Sequence, residues 1–183
     1  FEGKVVEIEK VSFVGNRTFS NGRLRRVLST KQAGLLRKVI TRDNLIKERI
    51  PLDKRLLTNF YLNRGFANFS IKDVNAELSE EKDGFFVTYN IQEGPQFKIG
   101  NVSISSDIEE IAAKNFQRFV KIKTGDTFST AEIQSSISIL DNQIIKFGHE
   151  FIRVVSTTSK NLRDLTIDVN FILEKGPPLF IER

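Results

Sequence analysis

The stretch from Leu57 to Pro95 constrains this 183-residue chain more than any other, because its apolar period changes in the middle. Leu57, Phe60, Tyr61 and Arg64 recur at spacings of three and four. That spacing puts them on one helical face, and Gly65 stands where a left-handed C-cap is wanted. From Phe69 the period drops to two, the signature of a strand. Glu80 to Gly84 reads as a hairpin turn with Asp83-Gly84 in the favoured place. Val87, Tyr89 and Ile91 then alternate along a returning strand that ends in Glu93-Gly94-Pro95. A reduced copy of this unit runs from Leu140 to Pro177, so the chain is built on an internal repeat.

Upstream, Val5 to Asn16 reads as a strand with Ile8, Val11 and Phe13 facing inward and Gly15 supplying the turn. Ser20 is an N-cap for a short helix with the stripe Leu24, Val27 and Leu28. Lys31 to Ile40 is expected to be a long connection. A second helix is predicted from Thr41 to Arg64, with Ile46, Ile50, Leu57 and Tyr61 as its buried row. Pro51 removes a backbone donor within it. Because Ile50 is a poor cap, the proline is expected to kink the helix rather than start it. The next strand changes phase: Phe69 and Ile71 are odd-numbered, whereas Val74, Ala76 and Leu78 are even. One extra residue near Lys72-Asp73 returns both sets to one face, which predicts a β-bulge on an edge strand. Phe86, on the other face of the returning strand, predicts that this strand is central and more fully covered.

The second copy opens with the strand Phe97 to Ser105, carrying Ile99, Val102 and Ile104. Ile108, Ile111, Ala112 and Phe119 predict its first helix. Ser129 and Glu132 form a capping box for the second, whose face Ile133, Ile137, Leu140, Ile144 runs on to Phe147 and a stop at Gly148. Phe151 to Thr157 is the next strand, Ser159 to Asp164 its hairpin loop, and Leu165 to Leu173 the alternating last strand. Leu179 to Arg183 resembles the start of a third copy.

The expected architecture is therefore α/β, of the α+β type: β-α-α-β-β used twice. Each unit is a three-stranded mixed sheet covered by two helices, with boundaries at 1–94, 95–177 and 178–183. The most apolar strand, the third, belongs in the middle and the other two at the edges. Each unit then exposes backbone donors and acceptors along its second strand.

Composition narrows the chemistry. Without cysteine there is no disulfide framework, no thiolate metal site and no thiol nucleophile. His149 is the single histidine, with no carboxylate cluster at ligand spacing around it. The glycine-rich phosphate and dinucleotide motifs do not occur. No enzyme activity, metal or cofactor is expected. No apolar run approaches the roughly twenty residues that a membrane span needs. The chain opens on Phe1, and it is expected to be a piece of a longer protein with its targeting segment upstream. The net charge of +5 is uneven: residues 17–55 hold twelve Lys/Arg against three Asp/Glu, while 95–183 balance eleven against eleven.

The pattern FVGNRTFS, then NFYLNRGFANFSI, then VTYNIQEGPQFKIGNV resembles the polypeptide-transport-associated (POTRA) repeats of BamA-type outer-membrane assembly factors. The likeness covers essentially the whole chain and is nearest to the third and fourth of that family's five repeats. The second copy departs from it, with His149 where the first has Phe66 and Ser105-Ser106-Asp107 in place of the Gly-Asn turn. The resemblance implies a non-catalytic periplasmic scaffold, a monomeric portion of a longer membrane-anchored protein. It implies assembly-machinery lipoproteins and unfolded outer-membrane proteins as partners, met partly by adding a partner strand to an exposed sheet edge. Ser70, Ile71, Lys72, Asp73, Val74, Asn75, Ala76, Glu77 and Leu78 form the expected edge, and Phe151 to Thr157 a shorter, weaker one.

Two other readings follow from the basic stretch. A nucleic-acid-binding module is one, although the aromatic residues that would stack bases are spaced as core, so nucleic acid is not expected. The other makes Arg23, Arg25, Arg26, Arg37, Lys38 and Arg42 a docking patch for anionic lipid headgroups or an acidic partner, which is compatible with the scaffold reading.

Overall fold

The computed structural model describes residues 7–30, 43–78, 84–149 and 151–176, without the side chains of residues 7 and 43–48. The chain divides into two compact units: Phe1–Leu62 with Phe66–Gly94, and Asn63–Gly65 with Pro95–Arg183.

The first unit contains β1 (Glu7–Val14), α1 (Asn21–Val27), α2 (Asp43–Leu62), β2 (Ser70–Leu78) and β3 (Gly84–Gln92). Its sheet has the order β1-β3-β2, with β1 parallel and β2 antiparallel to the central strand. This is the expected mixed sheet with the third strand inside. Ile8, Val11 and Phe13 of β1 and Val87, Tyr89 and Ile91 of β3 are buried on one face, against Leu24 and Leu28 around α1 and Leu57 and Tyr61 of α2. Ser20 caps α1, accepting from the Arg23 N–H at 3.3 Å. Pro51 lies inside α2, as expected, and the side chain of Ile46 lies outside the described residues. Ile50 is only partly buried.

Two expectations about the sheet need correction. Phe86 is 39% exposed, so β3 is central because strands flank it on both sides, not because both its faces are covered. In β2, Ile71 and Val74 pack on the core, but Ala76 and Leu78 are exposed. The apolar alternation continues past the point where the core ends.

The second unit contains β4 (Lys98–Ser106), a 3-10 helix (Ala113–Phe119), α3 (Thr130–Lys146), β5 (Ile152–Asn161) and β6 (Thr166–Lys175). The order β4-β6-β5 repeats the first sheet, again parallel then antiparallel. Ile167, Val169, Phe171 and Leu173 of β6 are buried, as are Leu140 and Ile144 of α3. Ser129 caps α3 by accepting from the Glu132 N–H. The predicted first helix is instead a 3-10 turn that begins later. Ile108 and Ile111 are buried in the loop ahead of it, Phe116 is buried within it, and Ala112 is exposed. On α3 the inward row takes in Ser136, whose hydroxyl donates to the Glu132 carbonyl and accepts from the Lys121 N–H, while Phe147 is 55% exposed. β5 is also longer than expected, reaching Asn161 through half of the predicted loop.

Asp53 is fully buried on the apolar face of α2, four residues before Leu57. One carboxylate oxygen accepts from the Ser29 N–H and hydroxyl, both at 2.7 Å, and from the Thr30 N–H. The other accepts from the Tyr89 hydroxyl at 3.1 Å. The charge is thus satisfied by four donors and ties the end of α1 and the middle of β3 to α2. Removing it orphans those donors, and a buried unsatisfied polar group costs about 1–3 kcal/mol. Asp53→Ala is expected to destabilise the first unit by about 3 kcal/mol. Tyr61 and Tyr89 are the chain's two tyrosines and it has no tryptophan, so urea denaturation followed by tyrosine fluorescence reads this unit alone.

Candidate functional site

The accessible backbone of both units lies along the outer strands. The positioning of β2 begins at the end of α2. Phe69 is buried immediately before the strand, its ring stacked on Tyr61 with centroids 4.1 Å apart. Phe66 packs edge-on against Tyr61 and Phe19. These rings fix where the chain turns out of the helix and enters the edge strand.

Tyr61 also carries the second buried carboxylate contact. Its hydroxyl donates to Glu93 Oε1 at 2.8 Å, and the Thr18 N–H and hydroxyl donate to the same carboxylate, the hydroxyl at 2.7 Å. Burial pushes the Glu93 carboxyl up, but the hydrogen bonds from Thr18, Tyr61 and the Arg17 backbone outweigh it and hold the group below its ordinary value. Burial, and then the bond and charge of Glu93, push the Tyr61 hydroxyl well up. Burial and the charge of Asp53 do the same to Tyr89. Neither tyrosine is disposed to ionise, so both hydroxyls act as fixed donors. Residue types alone gave no sign of either carboxylate's burial. The available signal was positional: Asp53, Leu57 and Tyr61 follow one another at intervals of four on a single helical face.

Ser70–Leu78 is an edge of the sheet, as expected. The register passes from Ile71 opposite Ile91 to Asp73 opposite Asn90, which leaves Lys72 as the extra residue of a bulge at the predicted place. Lys72, Asp73 and Asn75 to Leu78 are exposed, and the Asn90 side chain is hydrogen-bonded to Asp73 on the outer face. Register shifts also occur in β1 between Ile8 and Lys10 and in β4 between Ile99 and Val102. Among the described outer strands, β5 alone runs without one. It has ten residues against nine in β2, so it is not the shorter edge. Its beginning is covered, however: the Val154 N–H donates to Asp141 of α3 at 2.8 Å.

The basic patch is only partly within the described residues. Arg23 and Arg26 of α1 are exposed and Arg25 is half-buried, while Arg37, Lys38 and Arg42 lie outside the described residues. The Arg23 guanidinium lies over the rings of Phe19 and Phe60, 5.1 and 5.8 Å from their centroids, and so also serves the aromatic packing. Among the described residues no group of His, Asp and Glu is placed to hold a metal.

The POTRA family, described as surface antigen variable number repeat, matches residues 6–94 and again 97–176. The chain belongs to the POTRA family. As POTRA repeats, its two units are non-catalytic modules. Outer membrane protein assembly factor BamA of Neisseria meningitidis serogroup B is 23% identical over 180 residues, covering 98% of this chain and 23% of that protein. BamA of Neorickettsia risticii is 28% identical over 154 residues, covering 84% of this chain and 21% of that protein. The chain thus spans less than a quarter of the length of these relatives. The crystal structure of Haemophilus influenzae BamA POTRA3-5 has a TM-score of 0.74 at 18% identity, covering 94% of this chain and 67% of that one, a likeness of fold.

The depressed Glu93 carboxyl makes the first POTRA unit acid-sensitive in a defined direction. A carboxyl lowered by folding contributes stability that is complete above the unfolded value of 4.5 and is lost as pH falls through the folded value. Glu93→Gln sets an amide N–H₂ among donors, and it is expected to cost the unit about 2 kcal/mol at neutral pH. It should also flatten the loss of stability below pH 4.5, as read by urea denaturation across pH.

Proposed function

We propose that this chain is part of a periplasmic scaffold of the outer-membrane β-barrel assembly machinery, as its BamA relatives are named for that assembly. In this reading the first unit receives extended segments of lipoproteins or unfolded outer-membrane proteins by strand addition along Ser70–Leu78. The observation that carries it is the position of β2: an outer strand bonded to β3 on one side, with its second half exposed on both faces. Main-chain hydrogen bonds give such an edge affinity without demanding one sequence, which suits a receptor for many clients. The bulge at Lys72 interrupts the row of outward donors and acceptors and limits how long a partner pairs in register. A contact of Arg23 and Arg26 with anionic lipid would add to this role, since both are exposed.

The test is a titration of the chain with a peptide from an outer-membrane β-strand, followed by amide chemical shifts. Perturbations are expected on Ser70 to Leu78. Deleting Lys72 makes the strand continuous, and each ladder hydrogen bond gained adds about 1 kcal/mol, so binding should tighten about fivefold. Shifts confined to Arg23 to Arg26 that vanish with salt would overturn the edge reading and leave an electrostatic docking surface.

A further inference from the structure

The charges of residues 95–183 balance in number but not in place. From Lys114 to Lys123 the chain carries Lys114, Arg118, Lys121 and Lys123 and no acidic residue. The 3-10 helix holds the first two. Phe116 is buried within it, whereas Lys114, Gln117 and Arg118 are exposed. After Phe119 the chain becomes extended at Val120, with φ −73° and ψ 122°. Ile122 is then buried between exposed Lys121 and exposed Lys123. Burial of the middle residue turns both lysines outward, with their Cα atoms up to about 7 Å apart.

This stretch lies along α3. The Lys121 N–H donates to the buried Ser136 hydroxyl, and Phe116 packs edge-on against Phe147 just past the helix. That end adds exposed Lys146, with Ile145 49% and Phe147 55% exposed. Gln134, Ser138 and Asn142, the exposed residues between it and the first turn of α3, are uncharged. Acids border the surface without covering it. Glu109 and Glu110 fall in the turn before the stretch, Glu132 in the first turn of α3, and Asp126 accepts the Lys123 N–H at 2.8 Å. Among the described residues none of the five cations forms an ion pair. Arg118 is nonetheless held in place, its guanidinium 4.8 Å from the centroid of the Phe119 ring. Stacking of this kind leaves the edge of the planar fork free to bond a carboxylate through two parallel hydrogen bonds.

We propose that this surface docks an acidic, extended segment of a partner protein. Carboxylates on alternate residues of such a segment match the spacing of Lys121 and Lys123. A further carboxylate engages Arg118, and an apolar side chain covers Phe147 and Ile145. The stacked guanidinium and the two-residue step between the lysines favour a polypeptide over an anionic membrane. A chain matches such features residue by residue, whereas a fluid headgroup layer responds to summed charge alone. The site lies wholly in the second unit and does not rest on strand addition at β2.

The test uses the full chain and two synthetic peptides, one alternating Glu with Ser around a central Phe, the other with Gln for every Glu. With the Glu peptide the amides of Arg118, Lys121, Lys123 and Phe147 are expected to shift. Binding should weaken at least about tenfold with the Gln peptide, and it should also weaken as salt is raised. Lys121→Glu combined with Lys123→Glu should cost a similar factor, while Lys72→Glu on the edge of the first unit should change nothing. Phe147→Ser should weaken binding about fivefold. Ile167 and Val169 amides that keep their positions in every variant exclude a mere loss of folding. Equal binding of the two peptides, or shifts confined to Ser70–Leu78, would overturn the proposal. A surface that ignores the Glu peptide but responds to phosphatidylglycerol vesicles would overturn it as well, and would assign these cations to a membrane.

Discussion

The hydrogen bond from the Tyr61 hydroxyl to the Glu93 carboxylate is the contact on which the placement of the first unit's edge strand depends. A carboxylate 7% exposed is unfavourable unless donors surround it, and here Thr18, Tyr61 and the Arg17 backbone supply them. The bond joins the end of α2 to the residue after the central strand, and through Thr18 to the turn between β1 and α1. Because the same ring stacks on Phe69, the bond that closes the layers also sets where the chain enters β2. Asp53 repeats the device in the middle of α2, through Tyr89 and the chain after α1. Two buried charges, each satisfied, hold helix and sheet in one register where apolar packing alone would tolerate sliding.

That rigidity is what gives an edge strand its use. A three-stranded sheet with one face covered leaves two outer strands, and an uncovered edge invites pairing with any extended chain. Three of the four described outer strands carry a register shift, which breaks the row of backbone groups. The fourth, β5, is regular but has the Val154 N–H, near its start, occupied by Asp141. Both units therefore limit their edges without burying them, by register shifts in β1, β2 and β4 and by a side chain from the covering helix at β5.

The two POTRA repeats share a topology and differ in how each is closed. The first is sealed by rings and a carboxylate. The second has aliphatic Ile144, half-buried His149 and Lys175 at the positions of Tyr61, Phe66 and Glu93. The exposed rings of Phe147 and Phe151 lie at this same end of the unit. Conservation of fold thus does not carry with it conservation of packing.

Much was legible in the residues themselves. The period changes at Gly65 and Gly148, the caps Ser20 and Ser129, the order of strands and the bulge at Lys72 follow from rules about single faces and single turns, which act over a few residues. The family likeness followed from the same stretches. What only the tertiary structure decided were quantities set by distant neighbours. Ala76 and Leu78 alternate as a buried strand should, yet they are exposed because the core stops short of them. Ile108 to Phe119 has helical spacing, yet it forms a loop and a 3-10 turn, since Ile108, Ile111 and Phe116 reach the core without a full helix. Asp53 and Glu93 look like surface carboxylates because their donors lie 24 and 75 residues away in the chain. Local sequence fixes period and direction. Burial, and the charge that burial can hold, are properties of the assembled layers.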